Sequence, residues 1–374
     1  MKVLRFVILA FIVWGLPSFL LVAFGETVGA LSSHISNVLL LLYYLLSKKG
    51  KLIFPFIFLG ILYFLISGAI DVPDSKSFIN DFIKYVIFIV CGAEVARNTS
   101  LKDLIAFLLV GATSILAHAI FFTDNYGRYS GFYLDPNAAG FVSLIGYCLA
   151  YQLSNNSLKL ILLFIFTFSG AITFSRYFFI MWLITSLIAI FSNVRNSQGI
   201  LIGLGSLVVL ISVASILQFN TARFSIVENL FERKIQTTAF TEHSRTEQWS
   251  AYLGDIFDNP IFGNGHQSFK GVTGVKQGVH NTYLMVIGES GIIPFLLIIG
   301  IYIYMVKRSF SSFKTNVYKI MIALTLLTFL MVIHNYFNNY LLLFISIWLL
   351  VKLNEVSIAE NQNEIKEVIT WKTT

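Results

Sequence analysis

Three side chains in this sequence have the types and neighbours to act on an anionic substrate: Arg176, Arg245 and His280. Arg245 follows Ser244, and Glu247 lies three residues beyond that serine, the spacing of a capping box. An arginine at the first position of a helix adds a bidentate phosphate ligand to N–H groups and a dipole that already favour an anion. Taken alone it reads more readily as a surface arginine beside Glu242 or Glu247. Arg176 interrupts an apolar run among Phe174, Tyr177, Phe178 and Phe179. A charge at membrane depth faces the bundle or a water-filled cavity, or it snorkels from a helix end. His280-Asn281 opens another apolar run. A histidine facing water can act as general base near neutral pH, with the amide orienting it or the substrate; a plain helix cap is the alternative.

The remaining candidates carry weaker signals. Glu289, about two turns past His280, can pair with an arginine or bond to a neighbouring helix. Asp135-Pro136-Asn137 reads first as helix-start chemistry. His334-Asn335 reads as interfacial, and His243 and His266 as loop residues. The sequence contains no HExxH, GxSxG, CxxC or Walker-type loop, so zinc proteases, serine hydrolases and ATPases have no support.

The elements that must position these residues are membrane helices. Hydrophobic residues make up 56% of the 374-residue chain and charged residues 12%, with mean hydropathy +0.77. Soluble domains average about 25% charged, and runs near 20 apolar residues are the length that crosses a bilayer. Strict two-residue alternation, which a β-barrel requires, is absent from runs such as LLLLYYLL. The expected fold is an all-α integral membrane protein with about twelve transmembrane helices: 3–24, 28–47, 52–70, 78–96, 103–122, 136–153, 158–174, 176–192, 199–219, 282–306, 317–335 and 339–353. Lys2 and Arg5 before the first run also fit a signal peptide; an uncleaved helix is the preferred reading. Nine spans form an N-terminal bundle (1–219), followed by an external loop (220–281), three C-terminal spans (282–353) and a cytoplasmic tail (354–374). Cys91 and Cys148 lie inside apolar runs and suggest neither a disulfide framework nor a zinc site.

Positive charge sets the orientation. With the N-terminus inside, the inner segments hold Lys2, Arg5, Lys48, Lys49, Lys51, Arg97, Lys102, Lys159, Arg195, Lys307, Arg308, Lys314, Lys319, Lys352, Lys366 and Lys372. The short outer loops and their margins hold only Lys76, Lys84, Arg128 and Arg176. The net charge of +7 is thus a topology signal facing anionic lipid, and no nucleic-acid partner is implied. The 158–192 run would make a helix of roughly 50 Å, too long for one span, so two short spans turning near Arg176 are expected. Arg128, Arg176, the long loop, His280 and His334 then all face outside.

Within the long loop the pattern predicts two helices. The first is 225–236. The second follows Ser244 and presents Trp249, Tyr252, Leu253, Ile256 and Phe257 as one apolar face until Asn259-Pro260 ends it. Five glycines between 263 and 278 predict a loose return segment.

The segments RYSGFYLDPNAAG, TFSR ending at Arg176, SRTEQWSAYLGDIFDNPIFGNG and HNTYLMVIGESGIIP together resemble the O-antigen ligase and O-antigen (polysaccharide) polymerase superfamily of bacterial membrane glycosyltransferases. The resemblance covers roughly 126–306. It implies a lipid-carrier-dependent glycosyltransferase at the outer face of the cytoplasmic (inner) membrane, its site facing the periplasm. The implied donor is an undecaprenyl-diphosphate-linked glycan, and the acceptor another glycan or lipid A-core. Flippase and chain-length-regulator partners are possible in that setting, and neither metal nor other cofactor is implied. By resemblance Arg176 and Arg245 hold the diphosphate and His280 activates the acceptor hydroxyl. Arg128, Asp135, Asn137, Asn281 and Glu289 are candidate substrate-binding residues. A polymerase of O-antigen, capsule or exopolysaccharide is slightly preferred over a ligase. The alternatives are a transporter of an anionic lipid or solute, which would place polar groups near the midplane, and a non-enzymatic scaffold.

Overall fold

The computed structural model describes residues 1–122, 128–216, 245–271 and 277–355. Among these, the chain is helical with no strand. Its α-helices are α1 (Lys2–Val13), α2 (Leu16–Phe24), α3 (Glu26–Leu46), α4 (Phe54–Ile70), α5 (Ser75–Asn98), α6 (Leu101–Phe121), α7 (Pro136–Ala150), α8 (Asn156–Ile172), α9 (Arg176–Ser192), α10 (Ser197–Ile216), α11 (Arg245–Asp258), α12 (Thr282–Ser290), α13 (Ile292–Ser309), α14 (Val317–Phe329) and α15 (340–355). The expected helix 225–236 and the capping residue Ser244 lie outside the described residues.

Several helices start where a polar side chain satisfies the first free N–H groups. Asp74 caps α5, a reciprocal Ser100–Asp103 box caps α6, Asn155 caps α8 and Ser175 caps α9. Each such cap stabilises its helix by about 1 kcal/mol. Two expected spans are interrupted. The first, 3–24, breaks at Gly15 (φ +60°), where α1 and α2 meet at a 63° bend. The span expected at 282–306 stops at Gly291 (φ +78°) and resumes as α13. Residues 158–192 do divide into two helices, α8 and α9, turning at 173–175.

The packing is that of a bundle with an apolar exterior. Every residue from Ala139 to Ala150 is buried, as is every residue from Leu341 to Leu350, so α7 and α15 run through the interior. On α3 the exposed stripe is Leu31, Ile35, Val38, Leu42 and Leu45; on α9 it is Ile180, Leu183, Ile184, Leu187 and Phe191. A helix in water would place polar residues at these positions, and leucine and isoleucine there fit lipid. By length and composition α3, α6 and α13 with its extension to Ser312 suffice to cross a membrane, and the bent α1–α2 pair makes a fourth if taken as one span. Six shorter apolar helices accompany them. The described helices thus establish fewer full-length spans than the twelve expected.

The bundle has two polar ends. At one, Arg5 pairs with Asp103 at 2.9 Å, Arg97 bonds to Glu94 and to the Lys51 carbonyl, and Trp348 Nε1 donates to the Thr99 carbonyl at 3.0 Å. Lys314 Nζ donates to the Phe191 carbonyl there, and Lys319 Nζ to that of Lys352. The other end gathers the helix starts that carry the candidate residues.

Candidate active site

Arg176 is placed by a tight turn between α8 and α9. Phe174 takes a left-handed conformation (φ +49°), letting the chain reverse within three residues. Ser175 Oγ accepts from Phe178 N at 3.4 Å and donates to Asn137 Oδ1 at 2.8 Å. Asp135 Oδ1 accepts from Asn137 N and Ala138 N, both at 2.8 Å. Asp135 is thus a helix cap and Asn137 a tie to the α9 start, and together they bring the DPN and FSR segments into contact. Arg176 stands exposed at the first position of α9. Its neighbour Tyr177 donates to the Thr325 carbonyl of α14 at 2.6 Å.

His280 is placed by the same helix. Thr282 N donates to the Leu330 carbonyl at 2.7 Å, Thr282 Oγ1 to that of Ile333 at 2.9 Å, and Tyr283 Oη to that of Leu327 at 2.8 Å. The last carbonyls of a helix have no partner within it, so the end of α14 offers a row of acceptors. Tyr177 of α9 and the backbone and side chains at the start of α12 fill them. Phe329, between Phe141 (4.2 Å) and Tyr177 (5.2 Å), packs the same junction. Asn281 is 4% exposed and caps α12 by accepting from Tyr283 N and Leu284 N, which commits its oxygen to structure. His280 itself is exposed, with a left-handed backbone (φ +44°). Its ring meets His334 edge-on at 4.4 Å. Burial, then the charges of His280 and Lys270, push His334 down to about 4, so the pair does not hold two protons near neutral pH.

Helix α11 begins at Arg245. The Arg245 side chain lies outside the described atoms. One turn on, Gln248 Nε2 donates to Gln277 Oε1 at 2.5 Å, and Tyr252 Oη donates to the Gln277 carbonyl at 2.6 Å. The first turn of α11 therefore packs against the segment that leads to His280. The expected apolar face is split. Tyr252 and Ile256 are buried, while Leu253 and Phe257 are exposed, because α11 meets the bundle along one narrow stripe.

The glycine-rich return, expected to be loose, is anchored through residue 271. Asn264 N donates to the Gly288 carbonyl at 2.7 Å, Gly265 N to that of Glu289 at 3.1 Å, and His266 N to that of Asp71 at 2.9 Å. Gly263 (φ +75°) and Gly265 (φ +93°) are needed because a Cβ at either would sit under 3 Å from facing backbone. Glu289 accepts from Tyr63 Oη and, at 3.2 Å, from Phe269 N. It holds the return against α4; of its two expected roles the structure displays the bond to a neighbouring helix. Residues 272–276 fall outside the described set.

Arg128 borders a 680 Å³ cavity with Phe19, His118, Phe122 and Phe132. Its buried Nε has no hydrogen-bond partner among the described residues. His118 Nδ1 accepts from Ser130 N and Gly131 N, both at 3.2 Å, fixing the segment that carries Arg128.

Sequence reasoning missed His118, Tyr63, Asp81, Lys270 and the pairing of His334 with His280. Asp81 and His118 carried a usable signal, each being an ionisable residue within an expected span. The N-termini of α7, α9, α11 and α12 lie at this one end, and their dipoles add to Arg128, Arg176 and Lys270 in favouring an anion.

Residues 161–299 match the family model described as O-antigen ligase. The match covers less than half of the chain, running from α8 into α13, and includes Arg176, Arg245, His280 and Glu289. No curated protein sequence matches the chain. The family segment, within an all-helical bundle of apolar exterior, supports the O-antigen ligase and polymerase superfamily and a membrane glycosyltransferase of that broad type.

Proposed function

We propose that this protein transfers a glycan from undecaprenyl diphosphate to an acceptor hydroxyl at the outer face of the bacterial cytoplasmic membrane. A polymerase of O-antigen, capsule or exopolysaccharide is preferred over a ligase to lipid A-core. The observation that carries the reading is the docking of the Arg176 and His280 helix starts on one end of α14, both within the family segment. Arg176 and Arg245 hold the diphosphate and offset the charge that grows on it as the anomeric C–O bond breaks. His280 takes the proton of the acceptor hydroxyl as its oxygen bonds to the anomeric carbon. Because His334 stays neutral beside it, His280 faces no second imidazolium. Arg128 and its cavity extend the donor side. Asp135, Asn137 and Asn281 serve by fixing the three helix starts, and Glu289 by fixing the return segment.

Reconstituted transfer from a lipid-linked donor tests this. Arg245→Ala and His280→Ala each lower turnover by about 10²-fold or more, the range for one catalytic proton-transfer group or charge-stabilising donor, with membrane insertion intact. Near-normal turnover in either variant would sink the assignment. Supplying lipid-linked repeats with and without lipid A-core separates polymerase from ligase by the product formed.

A further inference from the structure

Beside the His280–His334 pair lies a separate polar cavity of 190 Å³. Its polar lining includes Asp81, His266, Lys270, Glu289, His334 and Asn338, and Phe64 and Phe337 form an apolar wall. His266 is only 5% exposed, yet neither ring nitrogen has a hydrogen-bond partner among the described residues. Its Nε2 stands 3.5 Å from Asp81 Oδ2, an ion-pair distance longer than a good hydrogen bond. Buried polar groups are almost always satisfied, so this imidazole points to a polar occupant. Asp81 also accepts from Gln267 Nε2 at 3.3 Å, which fixes its carboxylate at the cavity wall.

We propose that this cavity is the acceptor subsite, holding one glycosyl unit with its hydroxyls on Asp81, His266 and Asn338. The inference rests on the glycosyl-transfer reading and names the substrate class on its acceptor side. A sugar ring has an apolar C–H face and a rim of hydroxyls, which matches one aromatic wall opposite carboxylate, imidazole and amide groups. The volume equals about six waters at about 30 Å³ each, room for one ring and too little for a lipid chain. His334 lines the cavity and touches His280, so a unit seated there has its rim beside the general base. Asp81 and Asn338 also line a second cavity of 300 Å³ with Ser33 and Lys84. A glycan continuing past that shared wall places its next unit there, so the acceptor is recognised over two units.

Saturation-transfer NMR on the purified full-length protein in nanodiscs tests the subsite. The probes are glucose, N-acetylglucosamine, rhamnose and an oligosaccharide released by mild acid from the host's own envelope glycan. At least one probe gives a saturable signal. Asn338→Ala, at an exposed position, and Asp81→Asn weaken it about tenfold, as expected for loss of a hydrogen bond. No saturable signal from any probe, or unchanged affinity in Asn338→Ala, overturns the subsite. The transfer assay separates the two readings. Saccharide binding without transfer leaves a saccharide site in this cavity and sinks glycosyl transfer, and with it the acceptor role. Transfer with an unchanged acceptor KM in Asn338→Ala sinks the subsite alone.

Discussion

His280 and Asn281 are adjacent in sequence and take opposite parts in the structure. The asparagine is buried and spends its oxygen on the first turn of α12, while the histidine stands exposed on a left-handed backbone. The pairing with His334 could not be read from sequence, because 54 positions separate the two residues and only the docking on α14 joins them. A prediction follows from the direction of the His334 shift. Its folded value, about 4, lies below the ordinary 6.5. As pH falls through 6.5 the unfolded chain takes up a proton that the folded protein refuses, so stability is lost between about pH 6.5 and 4 and levels off below. Thermal melts in detergent over that range should fall in the parent and fall less in His334→Phe. An equal slope in both would remove His334 as the cause.

At the scale of elements, the sequence was most legible where period and punctuation agree. Serine at 175 and apolar runs on either side placed the α8–α9 turn and the start of α9 at Arg176, and the start of α11 at Arg245 was equally readable. What could not be read was the use of glycine. Glycines at 263 and 265 looked like licence for motion, but they mark where the return segment lies against the backbones of α12 and the α4–α5 connection. Close approach and flexibility demand the same residue, and only the fold distinguishes them. The breaks at Gly15 and Gly291 were hidden likewise, since a left-handed glycine interrupts a helix without changing its hydropathy. Gly265→Ala should therefore destabilise the anchored segment by about 2 kcal/mol through strain at φ +93° and overpacking against Asp71. Faster amide exchange at 264–269 is the expected readout, and unchanged exchange would refute the tight fit.

For the whole molecule, the charge count and the structure agree on which segments share an end. Segments assigned inside by their lysines and arginines bond to one another, from Arg5 with Asp103 to Lys319 with Lys352. Those assigned outside do the same, from His266 with Asp71 to Thr282 with Leu330. Single cysteines at 176, 245 and 280 should react with an impermeant maleimide added outside intact cells, and a cysteine at 316 only after permeabilisation. The native Cys91 and Cys148 are buried and leave a quiet background. Labelling of 176 and 280 from opposite sides would refute the arrangement. The anchoring on α14 also bears on how such a chain can diversify. The gap between the Arg176 and His280 backbones is set by hydrogen bonds to one short helix, whatever the length of chain that joins them. Insertions and deletions between α10 and α11 can then accumulate in the sequence without retuning the spacing of the two helix starts, much as an interchangeable cassette fits a fixed frame.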